Sequence, residues 1–238
     1  QAGMSPLSGE FDLALATAVN LYLHPSNYTG LSSAYMLSPT GRCHSFGSAA
    51  DGYVPGEGVG AFLLKPLANA QRDEDPIHAV ILASQVNHGG RTNGYSVPSP
   101  KAQASLIRAG LTQAGLSATD IGVVEAHGTG TALGDPIEVA ALKEAFEGDQ
   151  PDPQSIALSS VKSNCGHAEA AAGLAGLSKA VLQIQARQIA PSLHSAQTNG
   201  GIEFAKSPFH VPQHLLDWPS KEGTPRRATV SSFGAGGA

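Results

Sequence analysis

Val123-Val124-Glu125-Ala126-His127-Gly128-Thr129-Gly130-Thr131 and Ser160-Val161-Lys162-Ser163-Asn164-Cys165-Gly166-His167 decide the fold of this chain. Each reads as a β-branched strand that ends on a histidine at the mouth of a helix. Strands alternating with helices argue for α/β layers. A sheet that delivers two imidazoles to one edge is suited to stabilising a developing negative charge. Nothing in the chain looks like the nucleophile such a pair would serve.

Working outward, Gly122 to Ala126 and Ile156 to Val161 are the strands of these two motifs. Asp135-Pro136-Ile137-Glu138 has Asp at an N-cap, Pro at the first helical position and Glu at the third, a capping-box pattern. On that reading capping fully explains both carboxylates. Ala168 to Gln185 is a helix with apolar residues nearly all round and glycines at 173 and 176. An interior glycine costs about 1 kcal/mol against alanine, tolerable where another backbone passes close, so this helix belongs in the core. Lys101 to Ala114 is amphipathic, with Leu106, Ile107, Gly110, Leu111 and Ala114 on one face and Gly115 as the C-cap. Phe11 to Leu21 is a continuous apolar run of the sort buried on both faces of a sheet. Gly58 to Leu64 and His78 to Val86 read as strands, and Ala68 to Asp75 as a short polar helix. Pro39-Thr40-Gly41 and Asp51-Gly52 are turn signals. Asn87 to Pro100 is a glycine- and proline-rich loop. Phe209 to Val211 and Ala228 to Ser232 are short strand candidates.

Composition narrows the function. Of 238 residues, 41% are hydrophobic, enough for a real core, yet only 5% are aromatic, so packing relies on Ala, Leu, Val and close backbone approach. The net charge of −5, with no basic run, argues against a nucleic-acid partner, which needs clustered Lys and Arg. No apolar run approaches a bilayer span, and no signal segment opens the chain. Two cysteines, Cys43 and Cys165, are too few for a disulfide scaffold and fit a reducing, cytoplasmic setting. The chain opens at Gln1 and stops in a glycine-rich turn; both ends read as cut edges, so a portion of a longer protein is expected.

Three ordered motifs carry a resemblance over essentially the whole chain. His127-Gly128-Thr129-Gly130-Thr131, Lys162-Ser163-Asn164-Cys165-Gly166-His167 and Ser232-Phe233-Gly234-Ala235-Gly236-Gly237 resemble the three downstream motifs of a β-ketoacyl synthase, specifically the ketosynthase domain of a modular polyketide synthase. Met36 to Cys43 and Asp51 to Gly58 match further family text. Asn87 to Tyr95 resembles the version found in assembly lines without built-in acyltransferases. The resemblance implies an α/β thiolase-like fold, layered α-β-α-β-α. Here it would be partial: residues 1–76 end the N-terminal half, and 77–238 form most of the C-terminal half with both histidine motifs.

The resemblance also implies decarboxylative Claisen condensation of a cysteine-bound acyl chain with a malonyl unit on an acyl carrier protein. It makes His127 and His167 the groups facing the malonyl thioester, with Lys162 ordering the polar cluster. Thr129, Thr131 and Phe233 would contact the pantetheine arm or substrate, and the Ala235 backbone amide would serve the oxyanion hole. The family's second Phe of this turn is Ala235 here, so the amide survives but a bulky gate does not. The implied partners are acyl carrier protein, malonyl and acyl thioesters, and a second copy in a homodimer, with no nucleic acid and no membrane. No tightly bound cofactor or metal is implied; phosphopantetheine is the substrate carrier. The family's nucleophilic cysteine lies before the text matching Gly9 to Asp12, and its motif is not present. Neither Cys43 nor Cys165 takes its place.

Two rivals stand beside this reading. Gly128, Gly130 and Gly134 after a strand loosely suggest a dinucleotide turn, but the next strand offers Lys162 where an acid for the ribose belongs. A non-condensing relative, acting in transfer, chain-length control or dimerisation, shares the fold without the chemistry. Retention of both histidines speaks against it. The remaining histidines, at 24, 44, 78, 88, 194, 210 and 214, show no metal spacing.

Overall fold

The computed structural model describes residues 12–92, 94, 97–220 and 223–234. Ala235 and the glycines after it lie outside the described residues, as do Phe11, Asn93 and Tyr95.

The chain begins with β1 (Ala14–Asn20), then α1 (Ser26–Ser33), β2 (Gly58–Leu64) and α2 (Leu67–Arg72). β1 and β2 pair antiparallel, Ala14 opposite Leu64 and Asn20 opposite Gly58. Their side chains alternate between half-buried and exposed. The apolar run around β1 is therefore not covered on both faces: Leu15, Val19, Val59 and Leu63 are exposed, and among the described residues nothing lies over them. The inner face rests on the following helical layer, where Gly60 leaves room for the Leu174 side chain.

α3 (Pro100–Ala114) is opened by Ser99, whose hydroxyl accepts from Ala102 N, and closed by Gly115 in the left-handed region at φ 64°. β3 (Val123–Glu125), α4 (Gly134–Phe146), β4 (Ile156–Ser159), α5 (Lys162–Cys165) and α6 (Ala172–Ala186) follow. The chain ends through β5 (Gln188–Ile189), β6 (Phe209–His210), β7 (Leu216–Asp217) and β8 (Ala228–Val230). β6, β4, β3 and β8 form one parallel sheet in that order, and β5 pairs with β7. β3 and β4 are buried throughout, as parallel strands between two layers must be. On one face Val124, Ile156, Leu158 and Phe209 pack with Val139, Leu142 and Phe146 of α4 and Ala104 and Leu111 of α3. On the other, Val123 and Ala157 meet Ile184, Ile189 and Trp218.

α6 thus lies between two sheets. Gly173 approaches Ser232, and Gly176 approaches Val230 and Glu125, which explains both helix-interior glycines. The outer side of α6 is not apolar-covered, however, and Leu182 is exposed. The resulting order is helices, sheet, helix, sheet: four of the five layers expected.

One expected strand is not formed. Residues 78–86 form no regular element and find no ladder partner among the described residues. Val80, Ile81, Leu82 and Val86 are exposed, and the segment is held through glutamine side chains: Gln113 Oε1 accepts from Ser84 N and Gln85 Nε2, and Gln185 Nε2 bonds His78 Nδ1. β-propensity makes a segment extended, but only a neighbouring strand makes it a β-strand.

Candidate active site

β3 delivers Glu125, Ala126 and His127 in succession, and β4 delivers Ser159 to Lys162 beside them. Glu125 points to the α6 side of the sheet, His127 to the loop at its end. The loop after His127 is turned by Gly128 (φ 38°) and Gly130 (φ 77°). Gly128 is clamped between Ser160 and Phe46, and a Cβ on Gly130 would come within 2.8 Å of His44 N. These glycines admit protein atoms, not a pyrophosphate, which removes the basis for the dinucleotide turn.

Asp135 and Glu138 do not cap the helix. α4 starts two residues earlier than that cap implies, at Gly134, with no capping side chain. Both carboxylates are buried and hold the loop instead. Glu138 accepts the His127 N–H at 2.7 Å and the Gly128 N–H at 2.8 Å. Asp135 accepts from Phe46 N at 2.7 Å and Gly130 N at 3.1 Å. Burial pushes the Asp135 carboxyl up to about 6 and Glu138 up to about 7, against the pull of those amides. Cap residues and loop-holding residues are the same types, so composition alone does not separate them.

Lys162, 3% exposed, donates from Nζ to the His127 carbonyl at 2.6 Å. Burial drives its ammonium below the lysine range, while Glu138 and Glu125 resist. His127 Nδ1 accepts the Phe233 N–H at 3.2 Å, and His167 Nδ1 accepts the Glu169 N–H at 2.9 Å. A backbone N–H can only donate, so these bonds assign the proton of both neutral rings to Nε2. Burial, then the Lys162 charge, holds His127 well below the usual imidazole range and His167 down to about 3. The rings meet edge to face with centroids 5.4 Å apart, and Phe233 stands 5.7 Å from His127.

His167 is also gripped from the N-terminal segment. Its N–H donates to Val54 O at 2.7 Å, and its carbonyl accepts from Gly56 N at 2.9 Å. Gly166 is turned at φ 78°, where a Cβ would meet Val54 O. Thr129 and Thr131 are half-buried on the same loop as His127, their hydroxyls 3.3 Å apart, and Thr131 Oγ1 accepts the Gly134 N–H. The structure thus gathers His127, His167, Lys162 and Phe233, with the two threonines on the loop that follows His127. Cys43 is buried and its sulfur accepts the Val54 N–H; Cys165 is an exposed residue whose sulfur is nevertheless half enclosed; loss of solvation raises both thiols, the wrong direction for a nucleophile.

One feature has no counterpart in the sequence reading. Glu125 and Lys179, 1% and 9% exposed, pair at 2.9 Å beneath the site. Ser159 donates to the same carboxylate, and Val161 N–H to its other oxygen. The signal was present: a lone acid in a β-branched strand and a lone lysine in an apolar helix, each isolated in a buried stretch.

Comparison with known proteins shows likeness along most of the chain. Residues 2–70 match the family model for the beta-ketoacyl synthase N-terminal domain, and 78–196 that for the C-terminal domain. The chain is 50% identical over 237 residues to polyketide synthase PksL and 53% over 234 residues to PksM, both of Bacillus subtilis (strain 168). These matches cover 96% and 97% of this chain but 5% and 6% of those proteins. The solved ketosynthase from module 6 of the bacillaene synthase of Bacillus subtilis 168 superposes with a TM-score of 0.96 at 44% identity. It covers 98% of this chain, which spans 42% of it. The oxazolomycin ketosynthase domain OzmH KS7 of Streptomyces albus JA3453 gives 0.94 at 45%, covering 98% of this chain and 41% of its own. The α/β fold is that of these ketosynthases, thiolase-like as the motifs implied.

Proposed function

The chain belongs to the β-ketoacyl synthase family, and from that premise we propose that it is the histidine-bearing portion of a polyketide ketosynthase catalysing decarboxylative Claisen condensation. The supporting observation is the tautomer assignment: two neutral imidazoles, side by side, each with Nδ1 occupied by a backbone N–H and Nε2–H left to donate. Loss of carbon dioxide from a malonyl thioester moves the electron pair of the breaking C–C bond into an enolate. Two Nε2–H donors fixed in advance stabilise its oxygen without reorganising. The enolate carbon then attacks the acyl thioester carbonyl, and the thiolate leaves. That thiolate belongs to a cysteine outside this chain. Neutral rings matter: an imidazolium would hand its proton to the enolate and quench it.

In this reading Lys162 holds the His127 carbonyl and supplies positive potential. Thr129 and Thr131 bind the pantetheine arm of an acyl carrier protein, Phe233 borders the substrate, and the Ala235 amide serves the acyl carbonyl. Residues 1–76 and 77–238 belong to the two thiolase-like halves. The working enzyme is a cytoplasmic homodimer of the type served by separate acyltransferases. Among the described residues no helix is long and apolar enough to cross a membrane. The test is carbon dioxide release from malonyl carrier protein by the full-length protein. His127→Ala and His167→Ala each abolish release while acylation of the cysteine persists; unchanged release in both removes the proposed roles.

A further inference from the structure

The N–H that sets the His167 tautomer belongs to Glu169, and Glu169 is an improbable residue for the task. It sits at φ 37°, on the left-handed side that costs an L-residue roughly 1–2 kcal/mol. Its side chain does not simply project to solvent: Glu169 Oε1 accepts the Tyr53 hydroxyl at 3.1 Å. Burial, and then the Glu169 carboxylate, raise the Tyr53 phenol, so it remains a donor. The Tyr53 ring in turn lies against His167, centroids 4.8 Å apart. Tyr53 is joined to the ladder that grips His167, since Val54 O and Gly56 N bond the His167 backbone. His167 is therefore enclosed by one closed circuit: ring against Tyr53, Tyr53 hydroxyl to the Glu169 carboxylate, Glu169 amide back to His167 Nδ1.

We propose that Tyr53 and Glu169 are positioning residues that hold the strained Glu169 amide on His167 Nδ1 and so keep Nε2–H facing the enolate. Strain at a functional site persists only where surrounding contacts over-determine it. Without the Tyr53 hydroxyl, Glu169 relaxes toward negative φ, its N–H swings off the ring, and Nδ1 is free to carry the proton. An Nε2 lone pair then faces a forming anion. The inference rests on the proposed role of His167.

The experiment measures malonyl decarboxylation and cysteine acylation by the full-length protein as Tyr53→Phe, Glu169→Ala, the double variant, Glu169→Gln and His167→Ala. Tyr53→Phe keeps the ring and Glu169→Gln keeps an acceptor oxygen, so neither empties the core. Expected is a kcat for decarboxylation about tenfold lower in Tyr53→Phe and Glu169→Ala, less than the about 10²–10³-fold of removing an oxyanion donor outright. KM and acylation stay within about twofold, the double variant is no worse than either single, and Glu169→Gln stays near wild type. Wild-type kcat in Tyr53→Phe and Glu169→Ala, with His167→Ala inactive, overturns the inference and leaves the function standing. So does an equal fall of acylation and decarboxylation, which would mark a purely structural role. Full decarboxylation by His167→Ala overturns the reading of His167 and this inference with it.

Discussion

Glu138 grasps His127 by its backbone: Oε1 takes the His127 N–H at 2.7 Å while Oε2 takes the next N–H, that of Gly128. From the other side Lys162 takes the His127 carbonyl. The imidazole is thus aimed through charges on its peptide as well as through its ring, where Nδ1 accepts the Phe233 N–H. Glu138→Ala leaves two buried N–H groups without acceptors, at about 1–3 kcal/mol each, and should lower the unfolding midpoint and decarboxylation together. Glu138→Gln keeps one acceptor and should fall between; a denaturation series with parallel carbon dioxide assays checks the order.

The Glu125–Lys179 pair makes a separable prediction. Lys179→Met strands a buried carboxylate and should cost about 3–5 kcal/mol, whereas Glu125→Gln with Lys179→Met should recover most of it. Because burial raises the Glu125 carboxyl, acidification should shrink the deficit of the single variant. Urea unfolding at two pH values reads both effects.

Protonation gives a third. His167 titrates at about 3 when folded and near 6.5 when unfolded. A depressed histidine contributes stability fully present above 6.5 and lost as pH falls from there toward 3. Asp135 and Glu138, raised to about 6 and about 7, act oppositely, their burial penalty growing as pH rises through that range. Subtracting a His167→Gln variant isolates the histidine: its share of stability should drop by about 2 kcal/mol between pH 6.5 and 5.

Glycine replacements discriminate close approach from habit. Gly110→Ala, in α3 with the nearest atom 4.0 Å away, should stabilise by about 0.5–1 kcal/mol. Gly130→Ala, at φ 77° against the His44 backbone, should destabilise and raise KM for a carrier-linked thioester by displacing Thr129 and Thr131. Thermal melts and steady-state kinetics of the two variants provide the check.

Where the chain's own local chemistry sets an element, it could be read from the residues. β2 runs from Gly58 to Leu64, the bounds at which the residues read as a strand, and Gly115 ends α3 in the left-handed region its position demands. His127 follows β3 directly, as its short, buried strand implies, whereas His167 comes only after the short helix α5 and is seated by Val54 and Gly56, so the strand expected to end on it stops earlier, at Ser159. Periodicity, by contrast, reports which side chains face together, not whether a neighbour exists. That is why residues 78–86 read as a strand that does not form, and β1 as a strand covered on both faces when one face is exposed. Side-chain type likewise does not reveal where a carboxylate points: Asp135 and Glu138 fit a cap, yet they hold a loop. The Tyr53–Glu169 contact spans more than a hundred positions and leaves no local trace.

The grip of Val54 and Gly56 on His167 has a practical side for anyone splicing ketosynthases. A crossover placed in the 70s looks harmless, since it falls between two family domains. It nevertheless separates the loop that seats one imidazole from the imidazole itself. Hybrids should inherit residues 53–56 and 165–169 from one parent; mixed ancestry there would detune the spacing of the two rings while leaving every motif intact.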